Sequence, residues 1–317
     1  MLSFVANVLI LAVIASIVAV GLDVMIGFTG IFSAAQAAFY GMGAYTAALL
    51  SSHLHNSVLA VLVVAAALAV VAGWLLAVPA LRVKDEYFII ASVGFQYIVY
   101  AVFTNWQAVT GGMGGITGIP QPEVFGFQIS STAGFLALSV VLLACVLAAT
   151  WALVVRSPLG RALKALRDNE QAVLALGKNT VGLRIWAISI GCAWAAIGGV
   201  LYAYYVTFIN PESFTVDQSV IFMTMVVFGG VGTLVGPVAG ALFVTIFPSL
   251  LNLLGLPSQW MGPLQEIIYG LALIVLMIYR PEGLLGAWRG LRRLLRGGPY
   301  EGAGRASRDA EVRDVAP

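Results

Sequence analysis

The residues of this 317-residue chain whose types could do chemistry are few and poorly spaced for it. His53 and His55 are its two histidines, in the loop SSHLHNS (51–57), with no cysteine or carboxylate beside them. That pattern reads as a solvated loop rather than a metal site. Cys145 and Cys192 each lie inside an apolar run and read as packing residues, so no redox compartment follows. Gly41-x-Gly43 lacks the third glycine of a dinucleotide fingerprint, and GGVGTLVGP (229–237) lacks the lysine of a phosphate-binding loop. H-E-x-x-H is absent, and no serine–base pair stands out for hydrolysis. What remains are polar groups inside apolar runs: Asp23 at the junction of the first two, Gln36 and Gln96 within runs, and Glu266 opening the last. An ionisable group at membrane depth is a functional candidate by default. Glu266 precedes Arg280 by about 21 Å of helical rise, which places it in a first turn, where an anion complements the helix dipole.

The elements that must position these groups are transmembrane helices. The chain is 61% hydrophobic and 9% charged, with a mean hydropathy of +0.98. Soluble chains carry roughly 25% charged residues. The apolar runs have the length, about 18–25 residues, that a helix needs to cross a bilayer, whereas a barrel would show alternating segments of about ten. No basic stretch precedes the first run, which is therefore read as a retained span and not a cleaved leader. The expected fold is all-α: a polytopic transmembrane bundle of about eight to ten membrane segments, with broken or re-entrant helices among them.

All sixteen Lys and Arg fall in three places: Arg82 and Lys84; 156–184; and 280–313. Basic residues mark cytoplasmic loops. The loops 51–57, 105–131 and 207–215 lack them and are assigned outside. Spans are then expected near 3–22, 30–50, 57–80, 87–104, 132–155, 183–206, 216–229, 233–254 and 264–280, with the N-terminus outside and the C-terminus cytoplasmic. Residues 1–290 form the membrane domain, with a cytoplasmic loop at 156–184. Residues 291–317 are a cytoplasmic tail, and Gly-, Arg- and Asp-rich 297–317 has too little to bury to fold.

Small residues recur every fourth position at Ser33/Ala37/Gly41, Ala195/Gly199/Ala203 and Gly232/Gly236/Gly240. Such ladders let helix backbones approach closely. They read as packing seams, or as faces lining a translocation route, because unwound glycine-rich segments are where transporters bind and gate. The path candidates are Asp23, Gln36, Gly41, Gly43, Gln96 and Gly232.

The charge of 156–184 is gathered in SPLGRALKALRDNE (157–170). Ser157 is a cap, Pro158 a first-turn proline and Gly177 a stop. Leu159, Leu163 and Leu166 share one face; Arg161, Lys164, Arg167 and Asp168 take the other. A helix lying on lipid headgroups and a docking helix for a cytosolic subunit fit these residues equally.

From about residue 18 to 290 the chain resembles the inner-membrane permeases of bacterial ABC importers for branched-chain amino acids, the LivM type. The resemblance rests on GFTGIFSAAQAAFYGMGAYTAALL (27–50), YFIIASVGFQYI (87–98), NWQAVTGGMGGITGIP (105–120), SPLGRALKALRDNEQAVLALGKN (157–179), FINPESF (208–214), VVFGGVGTLVGPVAGA (226–241) and RPEGLLG (280–286), in that order. It implies a bacterial inner-membrane transport subunit, not an enzyme, with no metal and no cofactor of its own. ATP and magnesium would sit on two cytosolic ATPase subunits. The further partners implied are a second related permease, a periplasmic substrate-binding protein and membrane lipid, with no nucleic acid. The cargo implied is branched-chain or other hydrophobic amino acids, with urea, short amides or aromatic carboxylates as the alternatives within the family. An ATP-independent channel or carrier is the rival outside it. The resemblance makes 157–177 a coupling loop that fits a groove on the ATPase, with Arg161, Lys164, Arg167, Asp168, Glu170 and Gly177 as coupling residues. Helix 158–168 would move as a rigid body, its charges fixing register while its leucines bury into the partner. Asp23 stands where similar permeases often carry Asn, Gln36 where they often carry His, and Asp85 where Gly is common.

Overall fold

The computed structural model describes residues 2–51, 57–80, 85–124, 127–129, 131–253 and 270–271. His53, His55, Arg82, Lys84, Glu266, most of the run 264–280 and the tail 291–317 lie outside them.

The first apolar run forms one helix, α1 (Leu2–Thr29), seven residues longer than the expected 3–22 at its far end. Gly30, at φ +75°, ends it in a left-handed turn, and its N–H donates to the Ile26 carbonyl at 3.1 Å. Residues 30–35 are unwound, and α2 (Gln36–Leu50) follows. At 15 residues α2 is about 22 Å long, short of a bilayer's roughly 30 Å. Ser33 is thus on the unwound leg and not on a helical ladder.

Next come α3 (Val58–Ala80) and α4 (Asp85–Asn105), then a loop containing α5 (Gln107–Thr110). Helix α6 (Thr132–Thr150) runs on through a π-helical turn, Trp151–Val155. Two short helices, α7 (Pro158–Asp168) and α8 (Glu170–Ala175), lead into α9 (Thr180–Val206). The described chain closes with α10 (Val216–Gly229) and α11 (Gly236–Leu253). Among the described residues, five helices are long and apolar enough to cross a membrane, and α10 and α11 are shorter apolar helices.

Helix α1 is innermost: 89% of its apolar stretch is buried, against 33% for α3 and 28% for α4 and α6. Helix α9 packs on α1, α2 and α3. Apolar side chains alone do not drive helices together in lipid, so close backbone contact has to. A Cβ on Gly199 would strike the Tyr40 carbonyl, and one on Gly43 would strike the Ala196 backbone. Of the other ladder, Gly236 and Gly240 are helical, but Gly232 lies in the turn between α10 and α11.

The paired residues set helix direction. Gly21 meets Gly191, and the Tyr205 hydroxyl is 2.7 Å from Asn7, so α1 and α9 are antiparallel. Gln36 meets Gly191 and Ala44 meets Gly199, so α2 runs parallel to α9. Gly191 is about 16 Å along α9 from Thr180, so α2 starts partway through the bundle. The six unwound residues, reaching at most about 20 Å, make up the rest of the climb. The loops without Lys or Arg gather at one end, where Ile116–Thr117 pairs antiparallel with Phe208–Ile209 and Ser57 bridges Glu123. Helices α7 and α8 lie at the other end.

Candidate functional site

The site is built from α7 upward. Ser157 Oγ accepts from the Gly160 N–H at 3.2 Å, with Pro158 in the first turn. Leu163 and Leu166 are buried, Leu163 completely, and Leu163 packs with Val24, Phe28, Val154, Ala187 and Ile190. This corrects the expectation that the leucines bury into a partner: they seat α7 on its own spans. The apolar face is the cheaper one to remove from water, so it turns inward and the charges stay out. Helix α7 has the expected bounds, 158–168, and a second short helix, α8, follows it before Gly177. Asn169 separates them at φ −160° and caps α8, its Oδ1 accepting from the Ala172 N–H at 3.1 Å. Gly177, at φ +70°, terminates α8.

The coupling candidates divide by their contacts. Arg161, Lys164, Arg167, Asp168 and Gly177 are exposed, as are the apolar Leu174 and Leu176. Arg167 turns back: its Nη1 donates to the Gly27 carbonyl at 2.6 Å, capping the last turn of α1. A cation there also meets the negative end of the helix dipole. Lys164 Nζ lies 5.1 Å from the centre of the Phe28 ring, a cation–π contact. Glu170 accepts from Arg184 Nη2 at 2.9 Å, tying α8 to the first turns of α9. Arg184 is a buried cation that sequence reasoning left inside the basic cluster. The expected span began at 183, which put Arg184 at the basic end; helix α9 starts at Thr180 and takes it a turn deeper, where a cation needs an anion.

The path candidates do not form one lining. Asp23 Oδ1 accepts from the Gly232 N–H at 2.7 Å, next to the Gly27–Arg167 contact, at the α7 end. Gly41 packs against Phe103 and Phe214, and Gly43 against α9. Phe214 is ringed by Tyr40, Tyr45, Phe103 and Tyr202, with centroids 5.5–6.2 Å away. Gln36 is fully buried, its Nε2 making long contacts to the Val18 and Gly191 carbonyls at 3.4 and 3.3 Å. Gln96 bridges: Oε1 accepts from the Ala38 N–H and Nε2 donates to the Phe214 carbonyl, both at 2.7 Å. Ser219 Oγ takes the Ala37 N–H at 2.9 Å and Ser92 Oγ the Ala34 N–H at 3.0 Å. The start of α2 is thus capped by side chains from α4 and α10, as buried backbone without water requires. Ser92 and Ser219 carried no sequence signal, because lone serines are ordinary within spans.

Long apolar helices around a broken one, with a charged amphipathic segment clamped to one end, define a multi-pass membrane protein of the transport class. Residues 4–277 match the family described as the permease component of branched-chain amino acid transport systems, and the chain belongs to that family. It is 32% identical over 309 residues to the high-affinity branched-chain amino acid transport system permease protein LivM of Escherichia coli, covering 90% of this chain and 71% of that protein. The Salmonella typhimurium LivM is 31% identical, with 85% and 67% covered. The autoinducer 2 import system permease protein LsrC of Salmonella typhi is 30% identical, with 65% and 58% covered. No solved structure matches the chain.

Proposed function

We propose that the chain is the membrane-spanning permease subunit of an ATP-driven importer, with branched-chain or other hydrophobic amino acids as cargo. Two cytosolic ABC ATPases drive it, a second related permease completes the path, and a periplasmic binding protein delivers the solute. The chain does no chemistry of its own; nucleotide and magnesium belong to the ATPases. The observation that carries this reading is the α7–α8 segment. Its leucines are spent on the chain's own spans, while Arg161, Asp168, Leu174 and Leu176 face away from them. Such a surface suits a partner bound at that end.

The α7 end is cytoplasmic on this reading, because it holds the Lys and Arg of 156–184, and the N-terminus and the paired loops lie outside. Five long helices, the broken leg 30–50, α10, α11 and the apolar run 264–280 support about nine membrane segments in the bacterial inner membrane. Names of relatives carrying LivM favour amino-acid cargo, and most selectivity resides in the binding protein.

Reconstitution tests the proposal. Proteoliposomes holding the permease pair and its ATPases, supplied with binding protein, take up leucine only when ATP is hydrolysed. Steady uptake by this chain alone, without nucleotide, overturns the reading.

A further inference from the structure

We infer that Arg167 and Asp23 are positioning residues: they lock α7, the end of α1 and the 230–235 turn into one unit, so that α7 sets the unwound leg 30–35. The inference rests on the coupling role proposed above and names the contacts that carry it.

Three segments distant in sequence meet at one point. Gly27 belongs to the last turn of α1, whose carbonyls have no partner within the helix. Gly30 takes care of the Ile26 carbonyl, and Arg167, 140 residues on, supplies the donor for Gly27 at 2.6 Å. The same side chain lies over the helix break, since a Cβ on Gly30 would sit 3.4 Å from Arg167 Cγ. One turn before Gly27, Asp23 takes the N–H of Gly232. Gly232 stands at φ +76°, and a Cβ on it would lie 3.3 Å from Arg167 Nη1 and 3.0 Å from the Gly27 carbonyl. Side chains other than glycine are disfavoured there twice, by conformation and by space.

Besides the Lys164–Phe28 contact, the rest of α7's hold on the bundle is through the buried Leu163 and Leu166, and apolar contact is non-directional. A helix held only by leucines can turn or slide on its seat when pushed. One hydrogen bond, Arg167 to the Gly27 carbonyl, fixes its register to α1, and a second, Gly232 to Asp23, ties that end of α1 to the α10–α11 turn. The leg that begins at Gly30 starts from that knot, so displacement of α7 is delivered to the point where the chain stops being helical.

The chemistry asks Asp23 for an acceptor and Arg167 for a donor. Asp23→Asn keeps a carbonyl oxygen for Gly232; Asp23→Leu removes it. Arg167→Lys keeps a donor; Arg167→Met keeps the stem and loses the donor. In the complete transporter, reconstituted with its ATPases and binding protein, ATP hydrolysis and leucine uptake are measured together. R167M and D23L hydrolyse ATP at or above the wild-type rate, while leucine moved per ATP falls about tenfold, the factor that loss of one charged hydrogen bond carries. D23N and R167K retain most of the coupling. Unchanged coupling in R167M and D23L overturns the inference, as does a D23N defect equal to that of D23L.

A second measurement does not depend on transport. Spin labels at Ala165 on α7 and Phe32 on the unwound leg, in a Cys145→Ser background, report one narrow distance in the wild-type complex. R167M broadens it and R167K restores it. Equal widths in wild type and R167M overturn the inference even if a variant assembles poorly. A wild-type complex without ATP-dependent uptake counts against the functional reading and leaves this distance test standing.

Discussion

Three polar side chains organise the segment 157–182. Ser157, Asn169 and Asn179 each accept from the backbone N–H three residues on, at 3.0–3.2 Å. Each satisfies one of the N–H groups that a helix start leaves open. Asn169→Ala is expected to cost about 1 kcal/mol of local stability, read as faster amide exchange across 170–175 with α7 unaffected. The Ser157–Pro158 start and the Gly177 stop were legible in the sequence, because both residue types have one conformational use there. The end of α7 at Asp168 was expected too; what was not legible was the helix restart capped by Asn169. Asn169 sits in the polar run Asp168-Asn169-Glu170, where a capping amide competes with the helical pattern. The inward turn of Arg167 was equally hidden, since helical periodicity assigns a backbone position to a face while a long side chain can reach past it.

At the scale of elements, the broken leg between α1 and α2 is the feature that most needs the rest of the fold. Ser92 takes the Ala34 N–H on the leg, and Ser219 and Gln96 take the Ala37 and Ala38 N–H groups where α2 begins. Gln96→Leu leaves the Ala38 N–H and the Phe214 carbonyl without that partner. The Ala38 N–H keeps the Ala35 carbonyl at 3.1 Å, but a buried carbonyl that loses its donor costs about 1–3 kcal/mol, so the variant should melt below wild type in detergent while Gln96→Glu, which keeps the acceptor, loses less. Gly199→Leu is expected to do worse, separating α2 from α9, with little folded protein recovered by size exclusion. Hydropathy located the long apolar helices α1–α4, α6 and α9–α11 but not this boundary. The unwound residues Ile31, Phe32, Ala34 and Ala35 are as apolar as a helix, and the groups that permit unwinding lie on other elements.

For the whole molecule, the ends of the bundle are chemically distinct. One carries the paired loops without Lys or Arg; the other carries α7, α8 and their charges. That division was the most legible property of the sequence, because charge is costly inside the bilayer and Lys and Arg collect in the loops of one side. Thiol labelling checks it: Met113→Cys, at 61% exposure, should react with an impermeant reagent in intact spheroplasts, and Leu176→Cys, at 78%, only once the membrane is inverted.

The remote capping of α2 has a consequence for how the protein is made. Ala37 donates to Ser219, 182 residues further on, and Asp23 accepts from Gly232 across 209. At bacterial translation speeds the ribosome needs roughly 10–40 s to reach Ser219 after the N-terminal helices emerge. During that wait the nascent hairpin has amide hydrogens with no partner. It must shelter at the insertion machinery, hold a provisional helical form, or stay wet, and it can close only when the last third of the polypeptide arrives.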